Sequence, residues 1–294
     1  MATKAGKKGG KNQQKAPKKP EEPNYLQKVD PILMKNVNEL TGGRSNLQIF
    51  VPLCGKTPDM RWLAEQGHAI TGVEASPRYI KAFFRDSKLE YTVQKKQITA
   101  DKKADVYTAK GQNITLYHCD IFNFSLEVAG GKFDAIWDQS AMPVINAMGK
   151  PRLKEYTSLM QSLLKPDGRH MVEICKHGSN FVTAKILKSL VGDQCDVRYI
   201  GTRIWKYDEE DDEYDPEDHE HEDHGHGDHE HGDHGHGDHD DEEDVEMFYH
   251  LITFKDKGAT AGRKRKSEMQ MEGKKAKQPK QTKGKQRQKK RSKK

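Results

Sequence analysis

Residues 47–74, LQIFVPLCGKTPDMRWLAEQGHAITGVE, restrict the fold more than any other part of the chain. Residues 47–53 form a short apolar run containing Ile49, Phe50 and Val51, with Gly42 and Gly43 before it and Gly55 after it. That pattern predicts a strand buried on both faces of a parallel sheet. Pro58 suits the first turn of a helix, and Met60, Leu63 and Ala64 give that helix one apolar side. Gly67 ends it, and residues 69–73 read as a second strand. Glu74 then follows the loop by about twenty residues, the spacing at which doubly wound folds hold a nucleotide ribose. A carboxylate there accepts hydrogen bonds from two adjacent hydroxyls. The loop carries one glycine rather than the three of the dinucleotide fingerprint. Spacing alone therefore leaves nucleotide binding and an ordinary βαβ unit as equal alternatives.

The downstream pattern repeats the alternation. Ser76-Pro77 opens a helix whose expected inner face is Tyr79, Ile80, Phe83 and Phe84. Residues 87–111 are polar with weak alternation, which suggests a hairpin or a loose excursion. Strands are expected at 114–117, 133–137 and 170–175, each leading into polar residues or a turn. A helix over 152–164 turns Leu153, Tyr156, Leu159, Met160 and Leu163 inward, and Pro166-Asp167-Gly168 reads as a turn. A further helix spans 181–191, and strands at 195–207 and 247–254 form an antiparallel pair. Strands alternating with helices imply an α/β fold, a mostly parallel sheet covered on both faces.

The segments VPLCGK, GVEAS, ITLYHCDIF and KFDAIWDQSAM resemble the successive signature segments of the thiopurine S-methyltransferase family, in order and at similar separations. The likeness covers residues 47–175 well and the later strands more loosely. It implies a class I, Rossmann-like methyltransferase sheet of seven strands with the last one antiparallel. It also implies S-adenosyl-L-methionine as cofactor. The pocket is then expected at the carboxyl ends of the strands, at the switch point of the sheet. Leu53, Cys54 and Gly55 line the first loop, where Gly55 lets main chain approach a ligand closely. Glu74 binds the ribose hydroxyls. Asp120 and Ile121 meet adenine; a residue-level alternative for Asp120 is a cap for the turn at 121–124. Asp138 and Gln139 lie beside the methionine moiety and the acceptor, as the candidate catalytic pair. The family usually carries arginine at the position of Gln139. It also supplies a tryptophan-bearing lid from the region before the first strand, whereas no tryptophan precedes Trp62 here. Cys54 reads as either a reactive thiol or a small strand-end filler.

Composition bears on the remainder of the chain. Of 294 residues, 33% are hydrophobic and 33% charged, and a net charge of +6 masks opposing blocks. Residues 1–23 are a basic tail read as disordered, and 24–256 form the methyltransferase domain. Inside it, residues 208–246 are a His-, Asp- and Glu-rich insert with almost no apolar side chain, read as a disordered loop. Its His219, His221, His224, His226, His229, His231, His234, His236 and His239 are candidate weak ligands for a divalent metal. Residues 257–294 are a second basic tail, and their RKRK and KKRSKK clusters suggest nuclear targeting or contact with nucleic acid or another acidic partner. The four cysteines form no CxxC pair, consistent with reduced thiols. No run is long enough for a membrane span. The expectation is a soluble cytoplasmic or nuclear monomer acting on a small thiol or similar soft nucleophile. The alternatives are a catalytically inactive nuclear interaction module and a protein or RNA methyltransferase recruited by the basic tails.

Overall fold

The computed structural model describes residues 28–176, 181–205 and 245–255. Helix α1 (Pro31–Thr41) comes first, its proline in the first turn and Asp30 as its cap. Then follow β1 (Gln48–Pro52), α2 (Asp59–Glu65), β2 (Ala69–Glu74), α3 (Pro77–Asp86), β3 (Tyr91–Gln97), β4 (Lys103–Ala109) and β5 (Ile114–His118). The second half is α4 (Leu126–Ala129), β6 (Phe133–Asp138), α5 (Ala141–Ala147), α6 (Lys150–Leu163), β7 (Leu164–Lys176), α7 (Ala184–Val191), β8 (Cys195–Trp205) and β9 (Val245–Phe254).

All strands join one sheet in the order β3-β4-β5-β2-β1-β6-β7-β9-β8. The run from β5 to β7 is parallel throughout, and β9 runs antiparallel to both β7 and β8. These are the seven expected strands with the last one reversed. The sheet has nine because residues 87–111 form a true hairpin, β3–β4, which adds to the edge by antiparallel pairing of β4 with β5. Strand β3 is exposed along its whole length. Its Lys95 and Lys96 keep that edge polar, a common defence of an open sheet edge.

One apolar layer packs α1, α2 and α3 on one face, through Leu33, Leu40, Met60, Leu63, Phe83 and Phe84. The other packs α4 to α7 on the opposite face, through Val128, Met142, Leu153, Tyr156, Leu187 and Val191. Three sequence expectations need correction. Tyr79 is 47% exposed, because it lies about 90° round the helix from the middle of the Ile80/Phe83/Phe84 stripe. Leu159 is only partly buried. Pro166-Asp167-Gly168 does not separate helix from strand; β7 begins at Leu164, and the three residues lie in an irregularity where the register on β6 jumps from Phe133–Leu164 to Ala135–Arg169. Gly168 has no room for a side chain there, since a Cβ would stand 2.7 Å from Leu164 Cδ1.

The two basic tails and the histidine tract with its candidate metal ligands lie outside the described residues, but the insert expected to end at 246 is shorter, because Val245 and Glu246 already pair with β8 as the start of β9. Among the described residues no helix is long and apolar enough to cross a membrane.

Candidate cofactor site at the switch point

β1 pairs with β2 on one side and β6 on the other, so the chain's winding reverses beside β1. The loops that leave β1 and β6 therefore flank a crevice at the carboxyl edge of the sheet, the usual ligand position in such folds. Both loops carry a non-glycine residue in the left-handed region: Leu53 at φ 44° and Ser140 at φ 61°. Such a conformation costs of order 1 kcal/mol and persists only where surrounding contacts hold it.

Glu74 ends β2 and is 9% exposed. Its Oε2 accepts from the Gly55 N–H at 2.9 Å and its Oε1 from the Ser76 N–H at 2.8 Å. The carboxylate thus binds the β1 loop to the β2 loop, and each oxygen keeps further acceptor capacity. Gly55 has φ 51°, and a Cβ built on it would meet nothing within 4 Å, so the loop leaves open space there. A fixed carboxylate with spare lone pairs beside open backbone fits a ribose diol, and S-adenosylmethionine carries one.

Cys54 faces the other way. It is buried, and a Cβ added to Gly72 would stand 2.7 Å from its Sγ, so the thiol fills the gap left by that glycine. Burial, reinforced by the Glu74 charge, pushes the thiol well above its ordinary value. That is the filler alternative rather than the reactive one.

Asp120 accepts from the Phe122 N–H at 2.8 Å and caps the short 3-10 turn Ile121–Asn123, as its capping alternative anticipates. The residue is exposed and stands next to buried Ile121. Asp138 and Gln139, adjacent in sequence, part ways. Asp138 is fully buried on the α6 face, where its Oδ2 accepts from Tyr156 Oη at 2.8 Å and lies 3.2 Å from His170 Nε2. Gln139 is half-buried in the crevice loop, and its Oε1 accepts from Thr57 Oγ1 at 3.1 Å, linking the β1 and β6 loops.

Behind Gln139 lies a polar network that the sequence does not announce. Asp59 is fully buried; its Oδ1 accepts from the Asp30 N–H at 2.9 Å and its Oδ2 from Trp137 Nε1 at 2.8 Å. Burial, with the Asp30 charge, pushes the Asp59 carboxyl up to about 7 against those hydrogen bonds. Tyr249 Oη touches two carboxyl groups, Asp30 Oδ2 at 2.6 Å and Glu173 Oε2. A phenol has one proton to donate, so one of the two carboxyls holds a proton of its own. Burial pushes the Glu173 carboxyl up. Ser140 Oγ donates to Glu173 Oε1 at 2.8 Å, and Arg203 Nη1 lies 3.2 Å from Asp30 Oδ2. Only the buried placement of acids 30, 59 and 173 could have signalled this network, and local sequence pattern carries no such signal.

Residues 20–209 match the family model described as Thiopurine S-methyltransferase (TPMT). The probable thiopurine S-methyltransferase of Danio rerio is 34% identical over 177 residues, covering 58% of this chain and 73% of that protein. The thiopurine S-methyltransferase of Oryctolagus cuniculus is 36% identical over 146 residues, covering 50% of this chain and 57% of its own length. Among solved structures, the N-methyltransferase NodS from Bradyrhizobium japonicum WM9 in complex with S-adenosyl-l-homocysteine aligns at TM-score 0.45 and 12% identity, over 79% of this chain and 92% of that one. The chain belongs to the thiopurine S-methyltransferase family of S-adenosylmethionine-dependent methyltransferases.

Proposed function

We propose that this protein transfers the methyl group of S-adenosylmethionine to a small thiol or a similar soft nucleophile. The observation that carries the reading is the fixed Glu74 carboxylate beside the open Gly55 loop. When bound, the cofactor would supply an electrophilic methyl on a sulfonium, open to in-line attack by an acceptor with the neutral thioether as leaving group. The chain's share is then to hold and orient the two reactants and to exclude water. Glu74 takes the ribose hydroxyls, Leu53 and Gly55 support the sugar and sulfonium side, and Asp120 with Ile121 borders adenine. Gln139 and Ser140 border the methyl group and its acceptor. Both are neutral, and the neighbouring carboxylate of Asp138 is turned into the core. An acceptor that ionises by itself near neutral pH, as a thiol does, needs no base from that position.

A second reading rests on the basic segments 1–23 and 257–294. There the same transfer serves a protein or RNA acceptor in the nucleus, brought in by the tails, with residues 208–246 as a separate acidic insert that takes up divalent metal weakly. A catalytically quiet nuclear module is the limiting form of that reading.

Calorimetry with S-adenosylhomocysteine tests the cofactor pocket and is expected to show saturable one-site binding. A panel of small thiols with labelled cofactor tests the acceptor. Labelled S-methyl products support the first reading. Intact cofactor binding with no turnover on any thiol, and label appearing instead in nuclear protein or RNA, would replace it with the second.

A further inference from the structure

We propose that Asp30 is a positioning residue for Gln139, fixing which way round its carboxamide faces the crevice. The inference rests on the reading that Gln139 borders the bound cofactor and acceptor. Asp30 is 1% exposed and sits 109 residues away in sequence. Its two oxygens have separate duties. Oδ1 caps α1, accepting from the Ile32 N–H at 2.7 Å and the Leu33 N–H at 3.1 Å. Oδ2 faces Tyr249 Oη at 2.6 Å, Arg203 Nη1 at 3.2 Å and Gln139 Nε2 at 3.3 Å.

Both oxygens face obligate donors, the α1 N–H groups on Oδ1 and Arg203 on Oδ2, so the carboxyl offers only acceptors and selects the nitrogen end of the Gln139 amide. Thr57 on the opposite side does not select, because a hydroxyl either donates or accepts. It donates to Gln139 Oε1 because Asp30 has already taken the nitrogen. One N–H and one oxygen lone pair of the carboxamide remain for whatever occupies the crevice. Gln139 is thus a neutral group whose polarity is set by a buried acid on another element. The charged and titratable groups around that acid are Arg203 from β8, Tyr249 from β9, Glu173 from β7 and Asp59 from α2.

The discriminating variant is Asp30→Asn. It keeps the helix cap on Oδ1 but puts an NH2 group where Oδ2 stood, so the Gln139 carboxamide has to turn over. The side-chain NH2 resonance of Gln139, measured by NMR in the protein without added ligand, is expected to move. Affinity for S-adenosylhomocysteine is expected to fall about tenfold, the scale of one misdirected polar contact. Tyr249→Phe removes a different donor from the same oxygen; it should leave the Gln139 resonance in place and affinity within about twofold. A second route avoids dependence on one variant. In Gln139→Glu the new carboxylate faces Asp30, so inhibitor affinity should weaken as pH rises from about 6 to about 8. Adding Asp30→Asn should abolish that pH dependence.

An unmoved Gln139 resonance in Asp30→Asn, or an equal loss of affinity in Tyr249→Phe, overturns the proposal. A pH profile that is flat in Gln139→Glu overturns it as well. If the wild-type protein bound no S-adenosylhomocysteine, the reading of the crevice would fail, while the NMR comparison would still decide whether Asp30 orients Gln139.

Discussion

Glu74 and Gly55 are joined by a hydrogen bond of 2.9 Å from backbone N–H to carboxylate, which ties the end of β2 to the loop after β1. The same side chain takes the Ser76 N–H, so the loop geometry depends on the one residue to which the proposed function gives the ribose. Glu74→Gln tests both roles. Its carboxamide has only one oxygen, so either Gly55 or Ser76 loses its acceptor and one diol contact is lost. Affinity for S-adenosylhomocysteine should fall about tenfold or more by calorimetry, with only a small shift in thermal midpoint. Unchanged affinity would remove Glu74 from the site.

Gly72 should tolerate no side chain. A Cβ there would stand 2.7 Å from both Cys54 Sγ and Leu116 Cδ2. Overpacking of this kind costs about 1–3 kcal/mol, so Gly72→Ala should lower stability by that amount in urea unfolding. Cys54→Ala in the same chain should recover part of the loss by removing one of the two clashes.

Tyr156→Phe isolates the buried Asp138. Among the described residues Asp138 Oδ1 has no hydrogen-bond partner, so Oδ2 carries the whole of its compensation. Removing the Tyr156 hydroxyl leaves only the His170 contact. The expected cost is about 1–3 kcal/mol in denaturant unfolding. Cofactor affinity should stay within about twofold, because Asp138 faces α6 and not the crevice. A large loss of affinity at unchanged stability would instead return Asp138 to the reaction site.

Stability should fall as pH rises through neutrality. The folded protein raises the Asp59 carboxyl from 3.8 to about 7, so between those values it binds a proton that the unfolded chain has released. That contribution is complete below about pH 4 and is lost as pH rises through about 7. The slope reaches roughly 1.4 kcal/mol per pH unit for one proton. Glu173, also pushed up, acts in the same direction. Asp59→Asn removes the titration but offers an NH2 to one of two donors, Asp30 N–H or Trp137 Nε1. It should therefore cost stability near pH 5, and the gap from wild type should narrow by pH 8. Parallel pH profiles for the two proteins would disprove the assignment.

The order of strands and helices was legible because burial on both faces of a parallel sheet writes apolar runs directly into the chain, as at residues 48–52 and 133–137. The place of Glu74 at the end of β2 was legible too, since it follows from the distance along one βαβ unit. Asp120's cap was readable for the same local reason. The division of labour between Asp138 and Gln139 was not. Successive residues leaving a strand point to opposite faces, and only the packing of α6 against β6 decides which face is core. The network of Asp30, Asp59, Glu173, Arg203 and Tyr249 was wholly invisible. It joins residues as far apart as 219 positions, and no local periodicity encodes such a meeting. The sequence by itself determined the sheet, its switch point and the acid that ends β2. The tertiary structure alone decided which polar groups face the crevice, because that depends on side chains brought together from five separate elements.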